Sequence, residues 1–218
     1  GLCLNWGFYF KATVDCFELG SKDIDEALRC LDDQRHFHDV LPSKETPTFG
    51  PYLAFNRQYT YHLFSHARLG RLLFFKNFLQ SILENPSVDD CQRHWLWAQL
   101  QPQKVAKPDE NGICQDPLRE FMETVLPWPV PNDFFNKAIY QTLGDIFSLW
   151  TPDTPFYIVL DEANVITHGT YCFLRAFEGN PILNEILSTM GRFIDKDMQQ
   201  IVVDEPVCLV AGSWGKIS

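Results

Sequence analysis

The stretch that decides the predicted fold reads FYIVLDE at residues 156–162. Its apolar run has the length of a strand buried on both faces of a parallel sheet. Similar runs occur as WGFYFKATV at residues 6–14 and as VCLVA at residues 207–211. Because helical segments separate the three runs, the sequence predicts an α/β fold with a parallel sheet of three strands.

The chain divides into three parts around these runs. The first strand lies within residues 1–20, and residues 151–218 carry the second strand, a helix at about 181–192 and the third strand. Residues 21–150 between them read as a large helical insertion, because apolar residues recur at helical spacing over 53–83. Ser21 is placed to cap the first helix of that insertion.

Composition limits the classes of partner. The 218 residues carry a formal net charge of −10, which repels a phosphate backbone and disfavours general nucleic-acid binding. Arg68, Arg71 and Lys76 form the best candidate basic patch, and they are too few to change that expectation. No apolar run approaches the roughly 20 residues that span a bilayer, so we expect no membrane association.

The cysteine pattern favours an intracellular protein. There are seven cysteines, an odd number, with irregular spacing and no C-x-x-C pair. Reduced, buried thiols are therefore a simpler interpretation than a disulfide framework. No signal peptide precedes the first strand, which also favours an intracellular location.

Asp161 and Glu162 are the candidate catalytic residues, because they end a buried strand where ligands bind in open α/β folds. In a Walker B strand the first carboxylate holds the water shell of Mg²⁺, and the second deprotonates the attacking water. The alternative is that the two acids only cap the following turn. Ser213 ends the third strand and is a weaker candidate sensor of the γ-phosphate, with a simple Gly-Ser turn as the alternative.

The other motifs do not carry chemistry. Residues 212–218 contain Gly-Lys but lack the spacing of the phosphate loop G-x-x-x-x-G-K-[ST], and no other segment matches that motif. His62 and His66 stand four residues apart, as two ligands of one metal can, but histidines on a helix surface are the favoured interpretation. The pairs His36 with His38 and His168 with Cys172 lack the rest of a zinc site or a nucleophilic triad.

Several segments resemble a group of fungal, chiefly basidiomycete, P-loop NTPase proteins related to the Crinkler type. The similar segments, in the order of the family, are GLCLNWGFYF (1–10), GSKD (20–23), ARLGRLL (67–73), RHWLWAQLQP (93–102), YIVLDEAN (157–164) and PILNEI (181–186). Two positions depart from the pattern. Asn164 stands where the family typically has Gln, and residues 211–214 read AGSW where the family tends to read Ser-Gly-Thr.

The resemblance implies that the 218 residues form one incomplete P-loop NTPase-like domain whose phosphate loop lies upstream of Gly1. Asp161 would then be the Mg²⁺-shell carboxylate, Glu162 the general base and Ser213 the sensor, with Mg²⁺ and ATP or GTP as cofactors of the complete domain. The chain alone would be inactive, and its protein partners are unknown.

Two further functions stay open at this stage. The chain is alternatively a non-catalytic protein-interaction module or the product of a degenerate gene. A metal-dependent nuclease that uses Asp161 and Glu162 is a weaker alternative, because it needs further carboxylates and a nearby lysine, and because the acidic charge disfavours it.

Overall fold

A computed structural model of the chain describes residues 6–11, 19–31, 42–84, 90–106, 108, 110–124, 130–150, 157–161 and 207–210. In chain order the described elements are β1 (Gly7–Lys11), α1 (Asp23–Leu31), α2 (Phe49–Glu84), α3 (Cys91–Leu100), α4 (Pro102–Val105), α5 (Pro117–Glu123), α6 (Asn132–Leu149), β2 (Tyr157–Asp161) and β3 (Val207–Val210). The helix predicted at 181–192 lies outside the described residues.

The predicted fold class, an α/β parallel sheet with a helical insertion, is wrong, because the described residues are mostly helical. Helix α2 alone has 36 residues, whereas the strands have five, five and four. The physical reason is that the segment between β1 and β2 buries most of its apolar side chains among its own helices. This segment is the body of the described structure rather than an addition to a sheet.

Helix α2 is the centre of that body, and α1, α3, α5 and α6 all contact it. Leu72, Phe75 and Leu79 recur every three or four residues and are buried. The helical period predicted for residues 53–83 is therefore confirmed. Because α2 has neighbours on several sides, its apolar residues are not restricted to one stripe. Gly70 permits one close approach, since a Cβ there would lie 2.7 Å from Cδ1 of Phe121 on α5.

An aromatic cluster joins β1 to the helices. Phe75 of α2 packs against Trp95 of α3 with ring centroids 4.8 Å apart, and it meets Phe8 of β1 edge-on at 5.9 Å. Trp6 packs against Trp150 at 5.5 Å. Large rings bury much apolar area each and favour such tilted arrangements. The cluster therefore fixes β1 on the helical body.

The three strands pair in parallel in the order β1-β2-β3. In β1 and β2 the partners run from Gly7 with Tyr157 to Lys11 with Asp161. Val207 of β3 pairs with Tyr157 in the same register. The carboxyl ends of these short strands therefore meet at one edge.

A buried ion pair ties α1 and α2 together beneath β1. The Arg71 guanidinium donates to both oxygens of Asp23, from Nε at 2.6 Å and from Nη2 at 2.8 Å. Arg71 is 0% exposed, Asp23 is 1% exposed, and the guanidinium carbon lies 5.0 Å from the centroid of the Phe10 ring. Ser21, the predicted cap, accepts a hydrogen bond from the N–H of Asp23 at 3.1 Å.

Arg71 therefore has no place in the predicted basic patch. Its charge is neutralised by Asp23 in the interior, and Lys76 donates to Asp145 at 2.7 Å. Two of the three cations proposed for that surface thus form ion pairs with acidic residues of the same chain.

We predict that Arg71→Met lowers the free energy of unfolding by about 3–5 kcal/mol, because it leaves the Asp23 carboxylate buried without its counter-ion. Lys76→Met is the matched control on the same helix, and it costs less than about 1 kcal/mol, because Asp145 is 44% exposed. Urea denaturation of both variants provides the measurement. Equal losses in the two variants contradict the structural role given to Arg71.

Candidate functional site

The candidate site lies at the carboxyl end of the strands. Asp161 is the last residue of β2, the middle strand of the three. Its Cα partner is Lys11, the last residue of β1. Glu162 and Ser213 lie outside the described residues, so the structure places one of the three predicted site residues.

Lys11 is buried although it ends a strand, with 5% of its surface exposed. Gly20 covers its stem. A Cβ at Gly20 would lie 3.3 Å from both Cβ and Cδ of Lys11, and the φ of +92° favours glycine. The N–H of Gly20 donates to the carbonyl of Leu100 at 2.7 Å, which fixes this turn on α3. The lysine stem is therefore held in a defined position beside the strand end.

The outer edge of β1 is closed by side chains of α3. The N–H of Tyr9 donates to Oε1 of Gln99 at 3.0 Å. The carbonyl of Gly7 accepts from Nε1 of Trp95 at 2.6 Å and from Nε2 of Gln99 at 3.0 Å. Backbone groups of an edge strand otherwise invite pairing with another strand. Here two buried polar side chains take the place of that strand.

His62 and His66 do not lie on the helix surface, and that prediction is wrong. Both are 3% exposed. Phe135 of α6 meets the His62 ring edge-on at 5.0 Å, and Phe121 of α5 lies 4.6 Å from the His66 ring. The surface interpretation failed because α5 and α6 cover this face of α2, which the period of α2 alone does not reveal.

Burial keeps the two imidazoles neutral. Burial, with a smaller contribution from the neighbouring His66, lowers the pKa of His62 to about 4. Burial also lowers the pKa of His66, whose Nε2 lies 2.9 Å from the carbonyl oxygen of Phe121 and donates to it as N–H. Within the described part of the chain, no group of three or more His, Cys, Asp or Glu residues gathers as metal ligands. The two histidines are therefore core residues.

Gly20 also lines a cleft of about 350 Å³. Its lining includes Lys22, Asp116 and Arg119. The carboxylate of Asp116 is already hydrogen-bonded to backbone groups, since its oxygens accept from the N–H groups of Lys22, Leu118 and Arg119. Arg119 pairs with Glu123 one turn along α5 at 2.9 Å. The charges of this cleft thus stabilise the start of α5.

Of the described cysteines, Cys30, Cys91 and Cys114 form no disulfide bond. Cys30 and Cys91 are half-buried, whereas Cys114 is exposed in the cleft. The prediction that the thiols are buried is therefore wrong for Cys114. Cys3, Cys16 and Cys172 fall outside the described ranges, and Cys208 belongs to β3.

Comparison with known proteins gives no relative. No family model, no curated protein and no solved structure matches this chain. Of the helices that the structure describes, none combines the length and the apolar character needed to cross a bilayer.

Sequence reasoning assigned no role to Lys11, Gly20 or Gln99. The one signal in the sequence is the lysine itself, a charged residue inside the aromatic run that predicts the first strand. The glycine that packs on its stem lies nine positions later, and its register partner on β2 lies 150 positions later. Neither contact is visible in local periodicity.

The two buried histidines predict a pH dependence. In the unfolded chain an imidazole has a pKa of about 6.5, so below that pH the unfolded state binds more protons than the folded state. Stability is therefore fully present above pH 6.5 and falls progressively towards pH 4, by about 3 kcal/mol for His62.

The measurement is the free energy of unfolding as a function of pH for wild type and His62→Gln. The variant, which cannot take up the proton, loses less stability between pH 6.5 and 4. His94→Gln is the control, because His94 is exposed on α3 and leaves the slope unchanged. If His62→Gln follows the wild-type curve in parallel, the buried neutral imidazole is refuted.

Proposed function

We propose that this chain is part of a P-loop nucleoside-triphosphatase domain, related to the Crinkler-type fungal proteins, and that β2 supplies its Walker B carboxylate. The observation that carries the proposal is the position of Asp161. It ends the middle one of three parallel strands, and ligands of such strands bind beyond their carboxyl ends.

The proposed roles follow from the chemistry of the two acids. Carboxylate oxygen is a ligand that suits Mg²⁺, which keeps several of its waters when it binds. Asp161 would hold the cation through those waters, and Glu162 would accept a proton from the attacking water. Mg²⁺, when bound with ATP or GTP, neutralises charge that develops on the phosphates. Ser213 is the proposed sensor of the γ-phosphate.

The residues that grip the phosphates come, in this proposal, from outside these 218 residues, since no G-x-x-x-x-G-K-[ST] motif occurs within them. One observation indicates which edge of the sheet the strand that precedes such a loop would pair with. Gln99 and Trp95 close the outer edge of β1, and β3 stands at the other end of the strand order. A further parallel strand would therefore pair beside β3.

A second candidate function is a non-catalytic protein-interaction module. The dominance of helix in the described residues favours it, as does Trp97, which is half exposed with the Lys104 ammonium 5.7 Å from its ring centroid. Exposed aromatic residues are enriched at protein interfaces. The two functions differ in whether Glu162 matters for turnover.

We predict that the chain by itself shows no saturable binding of Mg²⁺-ATP or Mg²⁺-GTP in titration calorimetry. The reason is that the β- and γ-phosphates are held by backbone N–H groups of a phosphate loop, and this motif is missing from the sequence. Tight, saturable binding of either nucleotide contradicts the proposal, because the chain would then bind phosphates by other residues.

We further predict that Glu162→Gln, in the longer protein that joins this chain to a phosphate loop, traps the nucleotide and slows hydrolysis at least about 100-fold. The amide keeps the shape of the side chain but cannot accept the proton. Glu120→Gln on the exposed side of α5 is the matched control and leaves turnover unchanged. Unaltered turnover in Glu162→Gln refutes the catalytic role and favours the interaction module.

A further inference from the structure

The cleft that Gly20 lines plays no part in the proposed function. Its volume of about 350 Å³ lies near the lower end of the range for small-molecule sites, so it suits a ligand smaller than a nucleotide. Most of its lining residues are polar, namely Lys22, Gln103, Gln115, Asp116 and Arg119. Two of these residues are cations, which indicates an anionic ligand.

The two cations of the cleft are held close together by one carboxylate. The N–H of Lys22 donates to Oδ2 of Asp116 at 2.8 Å, and the N–H of Arg119 donates to Oδ1 at 3.3 Å. The residue before α1 and a residue in the first turn of α5 therefore meet at Asp116. Their positive side chains start from neighbouring points, and an anion bound between them offsets their mutual repulsion.

Acids near the cleft leave donors of both cations available. The oxygens of Asp116 are directed to backbone N–H groups. Glu123 meets Arg119 at Nε, but both side chains of that pair are 44% exposed, so the pair contributes little, and a guanidinium has five donors. Within the described part of the chain, no acid forms an ion pair with the ammonium of Lys22.

The remaining lining residues indicate the chemistry of the ligand. Gln103 and Gln115 carry amide N–H donors, which suit carboxylate oxygens. Carboxylates also form charge-assisted hydrogen bonds with lysine and arginine. Ile113 is 58% exposed and offers apolar surface to a short carbon chain. A small organic acid with two carboxylates matches these groups, because it supplies one carboxylate for each cation.

We propose that this cleft binds a small organic dicarboxylate between Lys22 and Arg119. The N–H groups at the start of α5 already donate to Asp116, so binding depends on the two cationic side chains rather than on the backbone. The net charge of −10 opposes anions at longer range, and the site therefore half-saturates at about 1 mM ligand. This inference does not rest on the proposed nucleotide chemistry, since Asp161 takes no part in it.

The test uses Cys114, an exposed thiol in the cleft, as the reporter, and succinate as the probe. Alkylation by iodoacetamide, a neutral reagent, is followed at each cysteine by peptide mass spectrometry, with ionic strength held constant by sodium chloride. Bound succinate covers the thiol and slows alkylation of Cys114 at least about threefold. The rate at Cys91, which lies on α3 and does not line the cleft, stays unchanged.

Two variants of the cleft connect this protection to the cations. Lys22→Gln and Arg119→Gln each raise the succinate concentration for half-protection at least about fivefold. Both keep the backbone N–H that binds Asp116, and if one does not fold, the other gives the answer. Lys44→Gln is the matched control, because it removes the same charge from an exposed site outside the cleft and shifts the midpoint less than about twofold.

Three results overturn the proposal. The first is an unchanged rate at Cys114 in saturating succinate. The second is equal protection by succinamide, the neutral diamide of the same length, or by sodium chloride in place of succinate. The third is a midpoint that neither Lys22→Gln nor Arg119→Gln shifts. The turnover of Glu162→Gln in the longer protein bears on the nucleoside-triphosphatase proposal alone, so the two proposals fail separately.

Discussion

The ion pair between Asp23 and Arg71 is the constraint on which the rest of the described structure depends. An arginine and an aspartate without solvent contact tolerate each other only in a bidentate geometry, and the pair has that geometry. Because Asp23 begins α1 and Arg71 lies in the middle of α2, the pair fixes the position of one helix on the other. The Phe10 ring beside the guanidinium extends this constraint to β1.

Polar side chains in the interior also determine which edge of β1 can pair with another strand. Gln99 and Trp95 of α3 satisfy its outer edge, and the Gly20 turn holds the stem of Lys11 at its carboxyl end. The strand is thereby open to pairing on one side alone, where β2 brings Asp161 into register with Lys11. The candidate site is thus a consequence of contacts made by the helical body.

The spacing of residues close together in the sequence predicted the features that depend on such neighbours alone. The period of residues 53–83 identifies α2, and Ser21 was correctly placed at the start of α1. The fold class was wrong, because apolar runs mark strands without revealing how much of the core the helices supply. Arg71 and His62 were taken for surface residues for a related reason. Their burial depends on partners about 50 to 75 positions away in the sequence, which propensity does not encode.

The central claim is that the carboxyl end of β2 holds the cation of a triphosphate through Asp161. A crystal structure of the longer protein with Mg²⁺ and a non-hydrolysable nucleoside triphosphate tests it most directly. We expect an Mg²⁺-bound water within about 2.8 Å of the Asp161 carboxylate. A cation held by other residues, with Asp161 remote from its water shell, contradicts the account.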